Sequence, residues 1–124
     1  AEVKRLQVEY GDKINIYSGN DDQIIPVLSL GGKGVISVLS NVAPKETSLM
    51  CQKYFEGKVE EALKMQLEYL PLCDALFCEV NPIPVKEAMN MMGMEVGPCR
   101  LPLYEMTDAK KALLKDTLAK YNLI

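Results

Sequence analysis

Residues Gly31–Asn41 read GGKGVISVLSN, and the fold turns on how this stretch is read. Gly31, Gly32 and Gly34 close a turn. Val35-Ile36-Ser37-Val38 follows as a short, largely β-branched run, the pattern of a strand buried on both faces. Ser40 and Asn41 then end the run in small polar side chains, where a parallel strand meets a site or a crossover. A similar unit lies upstream, with Ile14–Ser18 as a strand running into the polar loop Gly19-Asn20-Asp21-Asp22. Two strands alone make no stable sheet, so both are expected to belong to a larger one.

Working outward, the segment between the strands predicts a short helix, Gln23–Leu30. Asp21 or Asp22 is placed to cap it, and Pro26 falls in its first turn, where a missing N–H costs little. Strand, helix and strand make one βαβ unit with a right-handed crossover. Ala1–Tyr10 has Val3, Leu6 and Tyr10 at helical spacing, with Gly11 as the stop. The pattern starts without an initiator Met or an N-cap, which predicts a trimmed polypeptide, an artificial boundary being the alternative.

Past the second strand, Pro44–Glu56 reads as a helix stopped by Gly57. A longer one, from Lys58 to about Cys78, carries Val59, Ala62, Leu63, Leu67, Leu70 and Phe77 along one face. Pro71 is expected to kink it. Asn81–Lys86, NPIPVK, predicts an extended approach to a helix that starts at Pro84 and runs to Met92. Met94–Met106 reads as irregular. Thr107 or Asp108 caps a last helix to about Tyr121, with Ala109, Ala112, Leu113 and Leu118 on its apolar face. The class is α/β, with more helix after the second strand than before it.

The 124 residues suffice for one domain with a real core. At 48% hydrophobic and 25% charged residues, the chain is globular and not disordered. A net charge of −3 without a Lys/Arg stripe argues against nucleic acid as a partner. No apolar run reaches the ~20 residues of a membrane span. There is no histidine, so the commonest general base is missing. Cys51, Cys73, Cys78 and Cys99 form no C-x-x-C pair, which argues against zinc. They read as reduced core cysteines of a cytoplasmic protein.

Four motifs carry a family likeness: SGNDD (Ser18–Asp22), GGKGVISVLSNVAP (Gly31–Pro44), NPIPVK (Asn81–Lys86) and RLPL (Arg100–Leu103). In this order and at these intervals the chain resembles the dihydrodipicolinate synthase (4-hydroxy-tetrahydrodipicolinate synthase) family over essentially its whole length. The NPIPVK and RLPL pair resembles these enzymes more than their sialic acid lyase relatives. The family pattern SGDD stands here as SGNDD, one residue longer or substituted at Asn20.

The resemblance implies a TIM (β/α)8 barrel followed by a C-terminal helical domain. Such a barrel takes about 250 residues and has its site at the C-terminal ends of the strands. Ile14–Ser18 would be the seventh strand and Val35–Val38 the eighth. Residues 1–57 would close the barrel and residues 58–124 would form the helical domain, which helps build a homo-oligomer. The implied reaction condenses pyruvate with aspartate-4-semialdehyde in lysine (diaminopimelate) biosynthesis. A lysine forms a Schiff base, whose iminium takes up the electrons of a leaving proton. No cofactor or metal is implied. That lysine and the proton-relay tyrosine lie upstream, so no catalytic residue is expected in this chain, which alone should be inactive. A related pyruvate-dependent lyase, such as an N-acetylneuraminate lyase, and a non-catalytic assembly role are the alternatives.

The resemblance makes Gly19 and Ile36 substrate-binding, Gly19 by leaving room at the mouth and Ile36 by contacting pyruvate. Ser37 and Asn81 are supporting residues. Taken from the residues alone, Gly19 is a turn glycine and Ile36 is core. Lys86, early on a helix, reads as a structural or solvated lysine and not as a Schiff-base one. Asp21 and Asp22 could pair as acid and base, but helix capping explains them more simply. Met89, Met91, Met92 and Met94 read as packing filler.

Overall fold

The computed structural model describes residues 1–124. It contains six α-helices, three 3₁₀ turns and a two-stranded parallel sheet. Helix α1 is Glu2–Tyr10, strand β1 Tyr17–Ser18 and helix α2 Ile24–Ser29. Strand β2 is Gly34–Val35, followed by helices α3 (Pro44–Phe55), α4 (Val59–Leu76), α5 (Ile83–Met91) and α6 (Asp108–Lys120). The 3₁₀ turns cover Gly11–Lys13, Asp21–Gln23 and Leu39–Asn41.

The βαβ unit forms where it is expected, but its strands are shorter. Tyr17 pairs with Gly34 and Ser18 with Val35, in parallel register. Ladder bonds reach one residue past this pairing on each side. The Lys33 N–H donates to the Ile16 carbonyl at 2.7 Å and the Ile36 N–H to the Ser18 carbonyl at 2.8 Å. Val35–Val38 is therefore not a strand buried on both faces. Val35 is half-buried, Ile36 is 72% exposed, and from Val38 the chain winds into the Leu39–Asn41 turn. The ladder is short because each strand has one neighbour only, and no element of the chain packs over the Ile36 side chain.

The glycine turn before β2 is dictated by contact. A Cβ on Gly32 would lie 2.7 Å from both the Val27 side chain and its carbonyl oxygen. The Gly32 N–H donates to that same carbonyl at 3.0 Å. Gly31 has φ +92°, which favours glycine. Helix α2 thus folds back on itself closely enough to aim the chain into the sheet.

The larger apolar core joins the end of the βαβ unit to the later helices. Leu39, Val42 and Ala43 pack in one cluster with Leu72, Cys73, Ala75 and Leu76 of α4. Val85 and Ala88 of α5, Met106, and Leu114 and Leu118 of α6 complete it. A smaller cluster joins Ile24, Ile25 and Leu28 of α2 to Met50 of α3 and Ala62 of α4. Met89, Met91 and Met92 pack against the larger cluster, as packing filler should, whereas Met94 is 48% exposed.

Several apolar faces differ from those the periodicity suggests. Helix α4 buries Ala62, Gln66, Leu72, Cys73, Ala75 and Leu76, while Val59, Leu63 and Leu67, and Phe77 just past its end, face outward. Helix α6 buries Leu114, Thr117 and Leu118, and Leu113 is exposed. Helix α1 forms but buries nothing. It is braced on its surface by Arg5, which donates to Glu2 and to Glu9 at i−3 and i+4. Periodicity finds apolar rows, but only packing decides which row faces the core.

Pro71 stands inside its helix as expected, and one proline reading changes. Helix α4 continues through Pro71, which supplies no N–H to the carbonyl four residues back. The approach to α5 is a turn and not an extended segment. The Asn81–Pro82 peptide is cis, and Pro82 caps a helix in which Pro84 is the second residue.

Candidate functional site

Parallel strands point their carboxyl ends the same way, so the residue after each strand arrives at a common edge. After β1 that residue is Gly19, and after β2 it is Ile36. The Ser18 carbonyl that accepts the Ile36 N–H belongs to the peptide leading into Gly19, so the two residues sit side by side. The structure thus brings together the two substrate-binding candidates. Ser37 joins them as the next residue along the chain. Asn81 is exposed before α5 and shares no hydrogen bond with Gly19, Ile36 or Ser37.

Gly19 is open. A Cβ there would meet nothing within 4 Å, and its φ lies outside the left-handed region. Neither the backbone nor packing within this chain requires glycine at this position. The turn is held instead by its neighbours. The Ser18 hydroxyl donates to the Asn20 carbonyl at 2.7 Å and accepts the Asn20 N–H at 3.2 Å.

Asp21 is neither the cap of its own helix nor one half of an acid–base pair. Its carboxylate is buried and reaches across to the segment after β2. One oxygen accepts the Ser37 hydroxyl. The other accepts the Val38 and Leu39 N–H groups, each at 2.9 Å. These are charge-assisted bonds, roughly twice as strong as neutral ones. Asp21 therefore caps the Leu39–Asn41 turn across 16–18 residues of sequence. Ser37 in turn accepts the Ser40 N–H at 2.8 Å. Asp22 is exposed, and α2 has no side-chain cap.

Gln66 is the polar residue that a reading of the sequence misses. It is buried in α4, where its Nε2 donates to the Asp21 carbonyl at 2.8 Å and its Oε1 accepts the Ile25 N–H at 3.1 Å. Its position in the sequence is informative after the fact. Gln66 lies one turn past Ala62 and two turns before Cys73, on the side of α4 that is buried.

The remaining reactive groups have structural explanations. The four cysteines are free thiols. Burial, with the nearby charges of Asp21 and Asp22, pushes the Cys73 thiol up to about 12, so it stays protonated and unreactive. Lys86 Nζ donates to the Pro98 carbonyl at 2.7 Å and pins the segment before α6. The largest cavity, about 590 Å³, lies between α5 and that segment and is lined by none of the site residues. The edge at Gly19 and Ile36 offers backbone groups, an apolar side chain and open space. It can form one wall of a small-molecule site, but it presents no free base or nucleophile.

A small parallel sheet flanked by helices, with its candidate site at the carboxyl edge, defines part of an α/β enzyme fold. The dihydrodipicolinate synthetase family model matches residues 1–121, and the chain belongs to that family. The 4-hydroxy-tetrahydrodipicolinate synthase of Clostridium tetani is 58% identical over 124 residues, covering 100% of this chain and 42% of that protein. A dihydrodipicolinate synthase from Aquifex aeolicus superposes with a TM-score of 0.94 at 38% identity, over 98% of this chain and 41% of that one. One from Acinetobacter baumannii, complexed with pyruvate, gives a TM-score of 0.92 at 34% identity, over 98% and 42%. The chain therefore spans about two fifths of the length of the relatives it matches.

Proposed function

We propose that the chain is the C-terminal part of a lyase that condenses pyruvate with aspartate-4-semialdehyde by Schiff-base chemistry, in lysine biosynthesis. In this reading residues 1–57 supply the last two strands of a (β/α)8 barrel and residues 58–124 the helical part, with one apolar core between them. The observation that carries it is the carboxyl edge of the sheet. Gly19, with open space where a side chain would point, stands beside Ile36, an apolar residue 72% exposed. A barrel builds its site at that edge, and the Acinetobacter baumannii relative has been seen with pyruvate. Gly19 gives the substrate room, Ile36 forms a wall, Ser37 fixes Ile36, and Asn81 supports the mouth from α5.

The Schiff-base lysine belongs to a strand that precedes residue 1 in this reading. Lys86 is held by Pro98 and does not serve. Borohydride reduction in the presence of pyruvate, read by mass spectrometry, tests the assignment. The complete enzyme gains one pyruvyl adduct and the isolated 124-residue chain gains none. An adduct on the isolated chain would overturn it.

A role in assembly is the second reading, and the outward row Val59, Leu63 and Leu67 on α4 favours it. Three partly exposed apolar side chains at i, i+4 and i+8 suit contact with a second copy. The two readings are compatible: the complete enzyme is a homo-oligomer whose helical part contributes to the contact. The free cysteines fit the reducing cytoplasm.

A further inference from the structure

We propose that Asp21 and Gln66 are positioning residues, which together hold Gly19 and Ile36 at the spacing the substrate pocket requires. The inference rests on the reading of Gly19 and Ile36 as pyruvate-binding residues, and it assigns the helical part a role within the site itself.

Asp21 is gripped twice. Its carboxylate accepts donors from three consecutive residues, Ser37, Val38 and Leu39, which fixes the direction in which the chain leaves Ile36. Its carbonyl accepts from Gln66, so the same residue is tied from behind to α4. The other end of the Gln66 amide holds the Ile25 N–H, which sets the start of α2. Asp21 follows Gly19 by two residues, and Ser37 follows Ile36 by one. The Ile36–Ser18 ladder bond sets the two candidates side by side, and this pair of side chains ties the segments that leave them.

Local capping alone does not call for this arrangement. An exposed Ser, Thr or Asn at Val38 would cap the Leu39–Asn41 turn without burying a charge. A carboxylate 1% exposed, satisfied entirely by donors beside the site, trades burial cost for a defined geometry. Gln66, 3% exposed, extends the same network to α4, outside the βαβ unit.

The test uses the complete enzyme with Asp21→Asn, which keeps shape but replaces one acceptor by a donor, and Gln66→Met, which keeps length but loses both bonds. Leu114→Val, in the core far along the sequence, is the control of comparable thermal midpoint. Two quantities are read: amide exchange at Ile36–Leu39 and pyruvate affinity by calorimetry. We expect roughly tenfold faster exchange there in both variants, since each loses bonds of the network. Pyruvate affinity falls about ten- to a hundredfold, because small displacements of positioning groups are costly. The control changes neither. Exchange or affinity no different from the control overturns the proposal.

Gly19→Ala separates this from failure of the underlying reading. If it weakens pyruvate binding while Asp21→Asn and Gln66→Met do not, the positioning role falls and the site stands. If none of the three weakens binding, the site reading itself falls. Should Asp21→Asn not fold, Gln66→Met carries the test. Should neither fold, Ser37→Ala, which removes one donor of three, takes their place.

Discussion

The Ile36 N–H donates to the Ser18 carbonyl at 2.8 Å, and this single ladder bond places Gly19 beside Ile36. It joins the last residue of β1 to the first residue past β2, at the edge where the sheet gives way to loops. The first prediction follows from it. Gly19→Ala adds a methyl group to open space, so folding stability should change by under ~1 kcal/mol. Pyruvate affinity of the complete enzyme should fall about tenfold or more, the usual effect of one extra carbon in a tight pocket. Calorimetry together with thermal melts checks both, and an unchanged affinity would remove Gly19 from the site.

Leu76 is fully buried in the larger core, where the end of the βαβ unit meets α4, α5 and α6. Leu76→Ala should cost about 2–5 kcal/mol, from lost transfer energy and the cavity left behind. Urea unfolding should show a lower midpoint at an unchanged slope. A loss below ~1 kcal/mol would mean that the two parts of the chain do not share one core.

Cys73 links pH to stability. Its thiol is raised from the ordinary value of 9.0 to about 12 in the folded protein, chiefly by burial. The folded state thus keeps a proton that the unfolded chain gives up. Stability from this group is fully present below about pH 9 and is lost as pH rises toward 12. Denaturation midpoints should fall across that window, and Cys73→Ala should flatten the fall. An equal slope in the variant would show that other groups dominate.

Leu67 is 57% exposed on the outward row of α4. Leu67→Asp should therefore leave the fold intact, within ~0.5 kcal/mol. If this row joins two copies, the complete enzyme should shift toward a smaller species in analytical ultracentrifugation. An unchanged distribution would place the contact between copies elsewhere.

The local grammar of the chain was legible in its residues. Gly11, Gly57 and Gly93 stop helices where expected, and Pro44 opens α3. The two short β-branched runs pair in parallel around α2. The motifs from SGNDD to RLPL carried the family. What periodicity misplaced was direction. Leu63, Leu67 and Leu113 have the spacing of core residues and face outward, and Ile36 has a strand pattern yet is uncovered.

The sequence by itself determined the order of elements, the turn chemistry and the family, because these depend on short-range sterics and on local patterns. Only the tertiary structure decided the role of Asp21. Its nearest explanation was to cap the helix beside it, but its donors lie 16–18 residues away. Only the tertiary structure revealed Gln66, whose partners Ile25 and Asp21 lie 41 and 45 residues distant. A buried polar side chain must find its partners in space, and spacing along the chain does not say which backbone groups the fold will bring to it.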